Sequence, residues 1–221
     1  MFSPNFLNTT TEAYNMISDS NAKIFKPKNA REIVSNTKLF IEDNLKYPSV
    51  IHRIFIKCCT EKGMLLPAKI ILKHLPNQQK AIDESLFMAC SYGNIEGVKF
   101  LLQHNAFEYD VDNHSFFLAC NSGQTDIVKL LIESKHDVPI HDGLVNACHN
   151  GHIDTIKLLI EIGADVHTNF DRPIMEAIAN GEYNTVKFLL NYVTPTNVMI
   201  NYAKSEGYKR ITKLLQKHAR T

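Results

Sequence analysis

The sequence predicts an all-α fold, a helix–turn–helix solenoid, and three observations carry that expectation. The segment Asn150-Gly151-His152-Ile153-Asp154-Thr155-Ile156-Lys157-Leu158-Leu159-Ile160 recurs in degraded form along most of the chain. Aligned on its glycine it gives Gly63, Gly93, Gly123, Gly151, Gly181 and Gly207, a period of about 30 residues, in the range of stacked repeat units. The flanking residue types return with it. Four positions before the glycine stand Cys59, Ala89, Ala119, Ala147, Ala177 and Ala203, and eight after it stand Ile71, Leu101, Leu131, Leu159, Leu189 and Leu215.

Taken in chain order, residues 1–29 are polar and Asn/Thr-rich and are expected to form a tail. Residues 30–50 carry one helical pattern, Ile33, Val34, Leu39, Ile41 and Leu45, ended by Tyr47-Pro48, and are expected to be a degenerate N-terminal cap. Residues 51–221 are expected to hold about five to six units. Within a unit, Leu144, Ala147 and Cys148 recur at i, i+3 and i+4, the mark of one buried helical face. Asn150-Gly151 ends that helix, because glycine adopts the left-handed conformation at no steric cost. A second helix follows with Ile153, Ile156, Leu159 and Ile160 inward. The alanine and cysteine sites are small because neighbouring helices approach there, and one helix pair cannot bury its apolar face without a stack.

Turn chemistry separates the pairs at Gly163-Ala164-Asp165, Asp171-Arg172-Pro173 and His136-Asp137-Val138-Pro139. The last unit turns polar (Lys204, Ser205, Glu206, Lys209, Arg210, Lys213, Lys217), as a solenoid end must, and is expected to be the C-terminal cap.

Composition narrows the function. The 221 residues are 44% hydrophobic, enough for a sizeable core, and the formal charge of +1 creates no global field towards nucleic acid or anionic lipid. Residues 1–22 lack the charged and apolar regions of a secretory signal, and the apolar runs are too short to span a bilayer. An intracellular, cytoplasmic protein is expected. The five cysteines agree: Cys90, Cys120 and Cys148 share one register. Stacked helices lie about 8–10 Å apart, beyond the roughly 7 Å reach of a disulfide. They are expected to be reduced, buried and unreactive. The Asn8 and Asn113 glycosylation patterns carry little weight without a secretory route.

Candidate chemistry is sparse. Cys148-His149, with His152 and His141 nearby in sequence, is the one nucleophile-like cluster, but its register buries the thiol, and no second ligand pair completes a metal site. His152 is expected to be partly exposed in the turn. A row of lysines, Lys69, Lys99, Lys129, Lys157, Lys187 and Lys213, follows the glycines, interleaved with Glu96, Asp126, Asp154 and Glu161, as on a solvated helical face. There is no phosphate loop, carboxylate pair or nucleophile elbow. No catalytic residue, metal or cofactor is expected.

The run from Gly151 to Val166 resembles the second half of an ankyrin repeat nearly residue for residue. The likeness continues around Gly93, Gly123 and Gly181, thins around Gly63 and Gly207, and covers the chain from about Ile51 onward. Such compact units are similar to those abundant in giant DNA viruses. The resemblance implies an ankyrin-type solenoid with short turns or hairpins between units, acting as a non-enzymatic protein-interaction scaffold. One departure stands out. The Thr-Pro-Leu-His signature of the first helix is absent, and Phe87, Phe117, Val145, Met175 and Asn201 occupy its histidine position. Apolar packing is therefore expected to replace the hydrogen bonds implied by the family.

The resemblance also implies binding through hairpin tips (Asp112-Asn113, Ile140-His141, Phe170-Asp171) and exposed first-helix positions, among them Met88 and Leu118 unless these belong to the core. The candidates for contact with a partner are Asn113, Asn121, His141, His149, Phe170 and Asp171. Phe170 is the expected anchor unless it folds inward on its own hairpin. A monomer binding one unknown protein is expected, without nucleic acid or membrane. The alternatives are an adaptor recruiting ubiquitin-ligase machinery through the N-terminal region and an anion or nucleic-acid binder using the lysine row.

Overall fold

A computed structural model describes residues 29–106, 113–134 and 137–219. Residues 1–28 of the expected tail, with Asp112 and His136, lie outside the described residues. Among the described residues every regular element is a helix, and the chain divides into two compact units between residues 109 and 110.

The first unit contains α1 (Ala30–Asn44), α2 (Pro48–Thr60), α3 (Leu65–Leu72), α4 (Gln78–Tyr92) and α5 (Ile95–Leu102). Asn29 caps α1 by accepting the Glu32 N–H at 3.0 Å, satisfying one of the donors a helix start leaves open. Tyr47-Pro48 does stop α1, but Pro48 then opens α2. Its fixed φ suits the first helical position, where its missing N–H goes unmissed. The inner face of α1 is not the expected one. Thr37, Phe40 and Ile41 are buried at i, i+3 and i+4, whereas Leu39 and Leu45 are 55% and 58% exposed. The core is built from Ile51, Ile54, Phe55 and Cys58 of α2 with Ile71, Leu86, Val98 and Leu101 of the helices it meets.

The second unit contains α6 (His114–Asn121), α7 (Thr125–Ser134), α8 (Ile140–His149), α9 (Ile153–Glu161), α10 (Thr168–Ala179), α11 (Tyr183–Leu189), α12 (Asn197–Ser205) and α13 (Lys209–His218). The first helices of its pairs, α6, α8, α10 and α12, pack side by side, and so do the second helices, α7, α9, α11 and α13. Leu144, Ala147 and Cys148 are fully buried on α8, with Ile156 and Leu159 of α9 facing them, as the i, i+3, i+4 pattern requires. Thr125 and Thr155 hydroxyls bond at 2.8 Å and tie α7 to α9.

The glycine register is realised. All six turn glycines have positive φ, from 66° at Gly123 to 80° at Gly63. The residue after the glycine matters as much. His152 places Nε2 2.9 Å from the carbonyl oxygen of Asn121, the last residue of α6. Tyr208 donates its hydroxyl to the carbonyl of Ala179, the last residue of α10, at 3.2 Å. In the first unit Asn94 donates its amide to the carbonyl of Cys59 near the end of α2, at 2.7 Å. Carbonyls in the last turn of a helix have no intrahelical donor, so each of these side chains satisfies an orphan acceptor of the repeat before it. His152 is therefore half-exposed, as expected, but not idle.

The bracket also closes off the space beside the glycine. A β-carbon on Gly123 would stand 2.5 Å from Nδ1 of His152, one on Gly151 would collide with the Glu182 carboxylate, and one on Gly181 would meet the Tyr208 ring. Gly151→Val is thus expected to destabilise the fold by about 2–4 kcal/mol, from forbidden backbone plus collision. His152→Ala loses one hydrogen bond and should cost about 1 kcal/mol. Urea denaturation of both variants checks this; equal midpoints would contradict the glycine assignment.

Candidate functional site

The cysteine–histidine cluster is a matter of packing. Cys148 is fully buried on α8, and burial pushes its thiol up to about 12; Cys120, equally buried, is pushed higher still by the same cause. A thiol so far from ionisation has no nucleophilic thiolate at neutral pH. All five cysteines are free and buried, as was expected of Cys90, Cys120 and Cys148. The six lysines of the row are exposed on the second helices, with Lys157 3.5 Å from Asp154.

The partner-contact candidates lie along the row of first helices in the second unit, in two groups separated by the length of a helix. At the C-terminal ends of these helices sit Asn121 of α6 and His149 of α8, both exposed. Asn150, which ends α8, donates its side-chain amide to Asn121 Oδ1 at 2.6 Å and to the Asn146 carbonyl at 3.3 Å. His149 Nδ1 lies 3.1 Å from Glu176 Oε2 and 2.9 Å from the Asn180 side-chain amide, both on or just after α10. One ring nitrogen cannot serve both contacts in the same state: as N–H it donates to Glu176, and bare it accepts from Asn180. Arg172 adds an Nε–H bond to the other oxygen of Glu176 at 3.3 Å. His149 first, and Arg172 after it, hold the Glu176 carboxyl below the usual carboxylate range against the opposing effect of partial burial.

At the N-terminal ends of the same helices sit Asn113, His141, Phe170 and Asp171. Asn113 precedes α6 in left-handed backbone, with φ of 55°. His141 is not at a hairpin tip; it stands in the first turn of α8, which Pro139 starts earlier than the sequence suggested. Its Nδ1 accepts the Asp165 N–H at 2.9 Å. That bond corrects a second expectation. The helix-entry junction is held here by an imidazole after all, supplied from a different register. At the signature position Val145 is buried and Phe117 and Met175 are half-buried, so apolar packing takes over there in part, while Phe87 and Asn201 are exposed.

Phe170 is 99% exposed, so it does not fold inward. It is the centre of three consecutive left-handed residues, Asn169, Phe170 and Asp171, with φ of 50°, 61° and 60°. The expected turn at Asp171-Arg172-Pro173 is therefore shifted towards the N-terminus, and Pro173 lies in the first regular turn of the helix that resumes. Asp171, the last residue of the strained run, is tied back to His167, two residues before the run begins. The Asp171 N–H bonds the His167 carbonyl at 3.2 Å, and the Asp171 carboxylate stands 2.6 Å from His167 Nδ1. Left-handed geometry costs a non-glycine residue on the order of 1 kcal/mol or more each, and such strain concentrates at functional places. Met88 and Leu118 are half-buried, between the two roles the sequence left open.

Sequence reasoning missed Asn150, Asn180, Glu176 as a hub, and the His167–Asp171 tie. The recurring Asn-Gly at 150–151 and 180–181 was the available signal, read only as a helix stop. The pH dependence of the hub is a direct check. A carboxylate whose folded pKa is depressed contributes stability above its unfolded pKa, near 4.3, and loses it as pH falls through the folded value. Wild-type protein should therefore be more stable than Glu176→Gln at pH 7, and the gap should close as the pH is lowered below about 4. Chemical denaturation at both pH values measures it; a gap that is constant with pH would refute the hub.

A family model for ankyrin repeats in three copies matches residues 55–142 and 116–202. No curated protein matches the chain. Ankyrin repeats are in general protein-interaction modules without enzymatic activity of their own. Among the described residues no helix is long and apolar enough to cross a membrane. With helix pairs set by one glycine register and a family match over well over half of its length, the chain belongs to the ankyrin-repeat family.

Proposed function

We propose that this chain is a non-enzymatic scaffold that binds a partner protein along the first-helix face of its second unit, with Phe170 as anchor. The observation that carries the reading is the fully exposed Phe170 ring on a strained, tied run of backbone. An exposed aromatic gains nothing in the isolated chain; inserted into a partner's pocket it becomes a desolvated hot spot. The rigid mount lowers the ordering cost of binding. At the opposite ends of the same first helices, Asn121, Asn150, His149, Glu176 and Asn180 offer a polar surface whose geometry is already fixed by mutual hydrogen bonds. Asn113 and Asp171 flank the anchor, and His141 serves by holding the junction between them.

A photo-crosslinking phenylalanine analogue at position 170, with the same analogue at Lys129 as a control, captures the partner from lysate of the cell that makes this protein. Binding of the purified partner is then compared across variants. Phe170→Ala is expected to weaken it by about 2 kcal/mol, roughly thirtyfold, without loss of fold. Lys129→Ala/Lys157→Ala should bind normally. Abolition by the lysine pair, with Phe170→Ala and His149→Ala folded and binding as wild type, would move the functional surface to the second helices.

A further inference from the structure

The second unit segregates its charge. Residues 113–203 carry ten acidic against five basic residues, whereas residues 204–221 carry six basic against one acidic. The basic end is concentrated on α13. Lys209, Lys213 and Lys217 recur at i, i+4 and i+8, which places them in one exposed stripe about 12 Å long, with exposed Arg210 beside it. None of these four has a carboxylate within ion-pair distance among the described residues, although other cations of the chain do. The first turn of α13 holds Lys209 and Arg210 and no acidic residue, an arrangement the helix dipole opposes in the isolated chain.

Beside that turn opens a cleft of about 270 Å³ lined by Gly181, Tyr183, Gly207, Tyr208, Lys209 and Arg210. The Arg210 guanidinium lies 4.4 Å over the Tyr183 ring, which holds the charge at the cleft.

We propose that this face of α13, together with the cleft at its first turn, is a docking surface for a short acidic segment of a partner protein. Charge complementarity selects the occupant, and the surroundings limit its size. Four cations over one helix match a few carboxylates. A longer polyanion would have to run past α11, which adds Lys187 alone, onto α9 with its Asp154 and Glu161. A nucleic acid would also want open aromatic faces for its bases. Here the Tyr183 ring is covered by Arg210 and the Tyr208 hydroxyl is committed to Ala179. A bilayer would want apolar side chains to insert, and the apolar face of α13, Ile211 and Leu215, is buried in the repeat. The surface is separate from the Phe170 face and does not depend on it.

The probe is a fluorescein-labelled octaglutamate peptide, with octaglutamine as its uncharged counterpart, titrated by anisotropy against the full chain in low salt. Octaglutamate is expected to bind and octaglutamine not to. Lys209→Gln/Arg210→Gln/Lys213→Gln/Lys217→Gln should weaken binding at least about tenfold, and Lys129→Gln/Lys157→Gln by no more than about twofold. Circular dichroism confirms the fold, and the milder Lys213→Gln/Lys217→Gln pair serves if the quadruple variant is unfolded. No binding of octaglutamate, or equal binding to wild type and variant, overturns the proposal. So does a single-stranded oligothymidylate or a phosphatidylserine vesicle that uses these four residues and binds more tightly than octaglutamate. Any of these leaves the reading of the Phe170 face standing, because that face shares none of the four residues.

Discussion

The second unit is held by a bracket that occurs at two of its turns, Gly151-His152 and Gly207-Tyr208. A glycine ends the first helix of a repeat in left-handed backbone, and the residue after it reaches back to the unsatisfied carbonyl at the end of the preceding first helix. Each half of the device needs the other. The glycine supplies the turn that aims the next side chain backwards, and the side chain occupies the space that any β-carbon on the preceding glycine would need. A single helix pair has an exposed apolar face and unpaired carbonyls; the bracket settles both for its neighbour. Stacking is thus directional where His152 and Tyr208 complete the helix end before them, while Glu182, a carboxylate with no proton to donate, only fills the space beside Gly151.

Fixing the helices at their turn ends leaves the exposed first-helix positions to diverge. Asn121, His149 and Glu176 need not serve the core, which Leu144, Ala147, Cys148 and Ile174 already fill. Their hydrogen bonds run sideways from helix to helix and set a polar surface in place. At the other end of the same helices the backbone does something the core does not ask of it. It holds three non-glycine residues left-handed and projects Phe170 into solvent. Stability and surface are divided between different positions of the same short repeat.

The fold was legible in the sequence because the residues that build it are chemically alike from unit to unit. Glycines with positive φ, small residues at helix crossings and leucines on the second helices repeat as types. The bracket was not legible, because Asn94, His152 and Tyr208 share a task but not a chemistry; only their position after the glycine unites them. The face of α1 was misread for a related reason. Several apolar spacings fit one helix, and packing against α2 and α3, not periodicity, chose Phe40 over Leu39 and Leu45. Of the candidate site, the register of Asn121 and His149 could be read from the repeat. The burial of Cys148 could be read in the same way. The direction of Phe170 and the capture of His141 by Asp165 could not, since both depend on where a helix restarts.

The bracket can be measured directly by a double-mutant cycle between Gly123 and His152, read out by urea denaturation. Gly123→Ala carries two costs: left-handed backbone for alanine, and collision of its β-carbon with the His152 ring. Replacing His152 by alanine removes the second cost only. The cost of Gly123→Ala should therefore be smaller by about 1 kcal/mol in the His152→Ala background than in the wild type. An identical cost in both backgrounds would mean that the glycine answers to its backbone alone and that the repeats are not bracketed together.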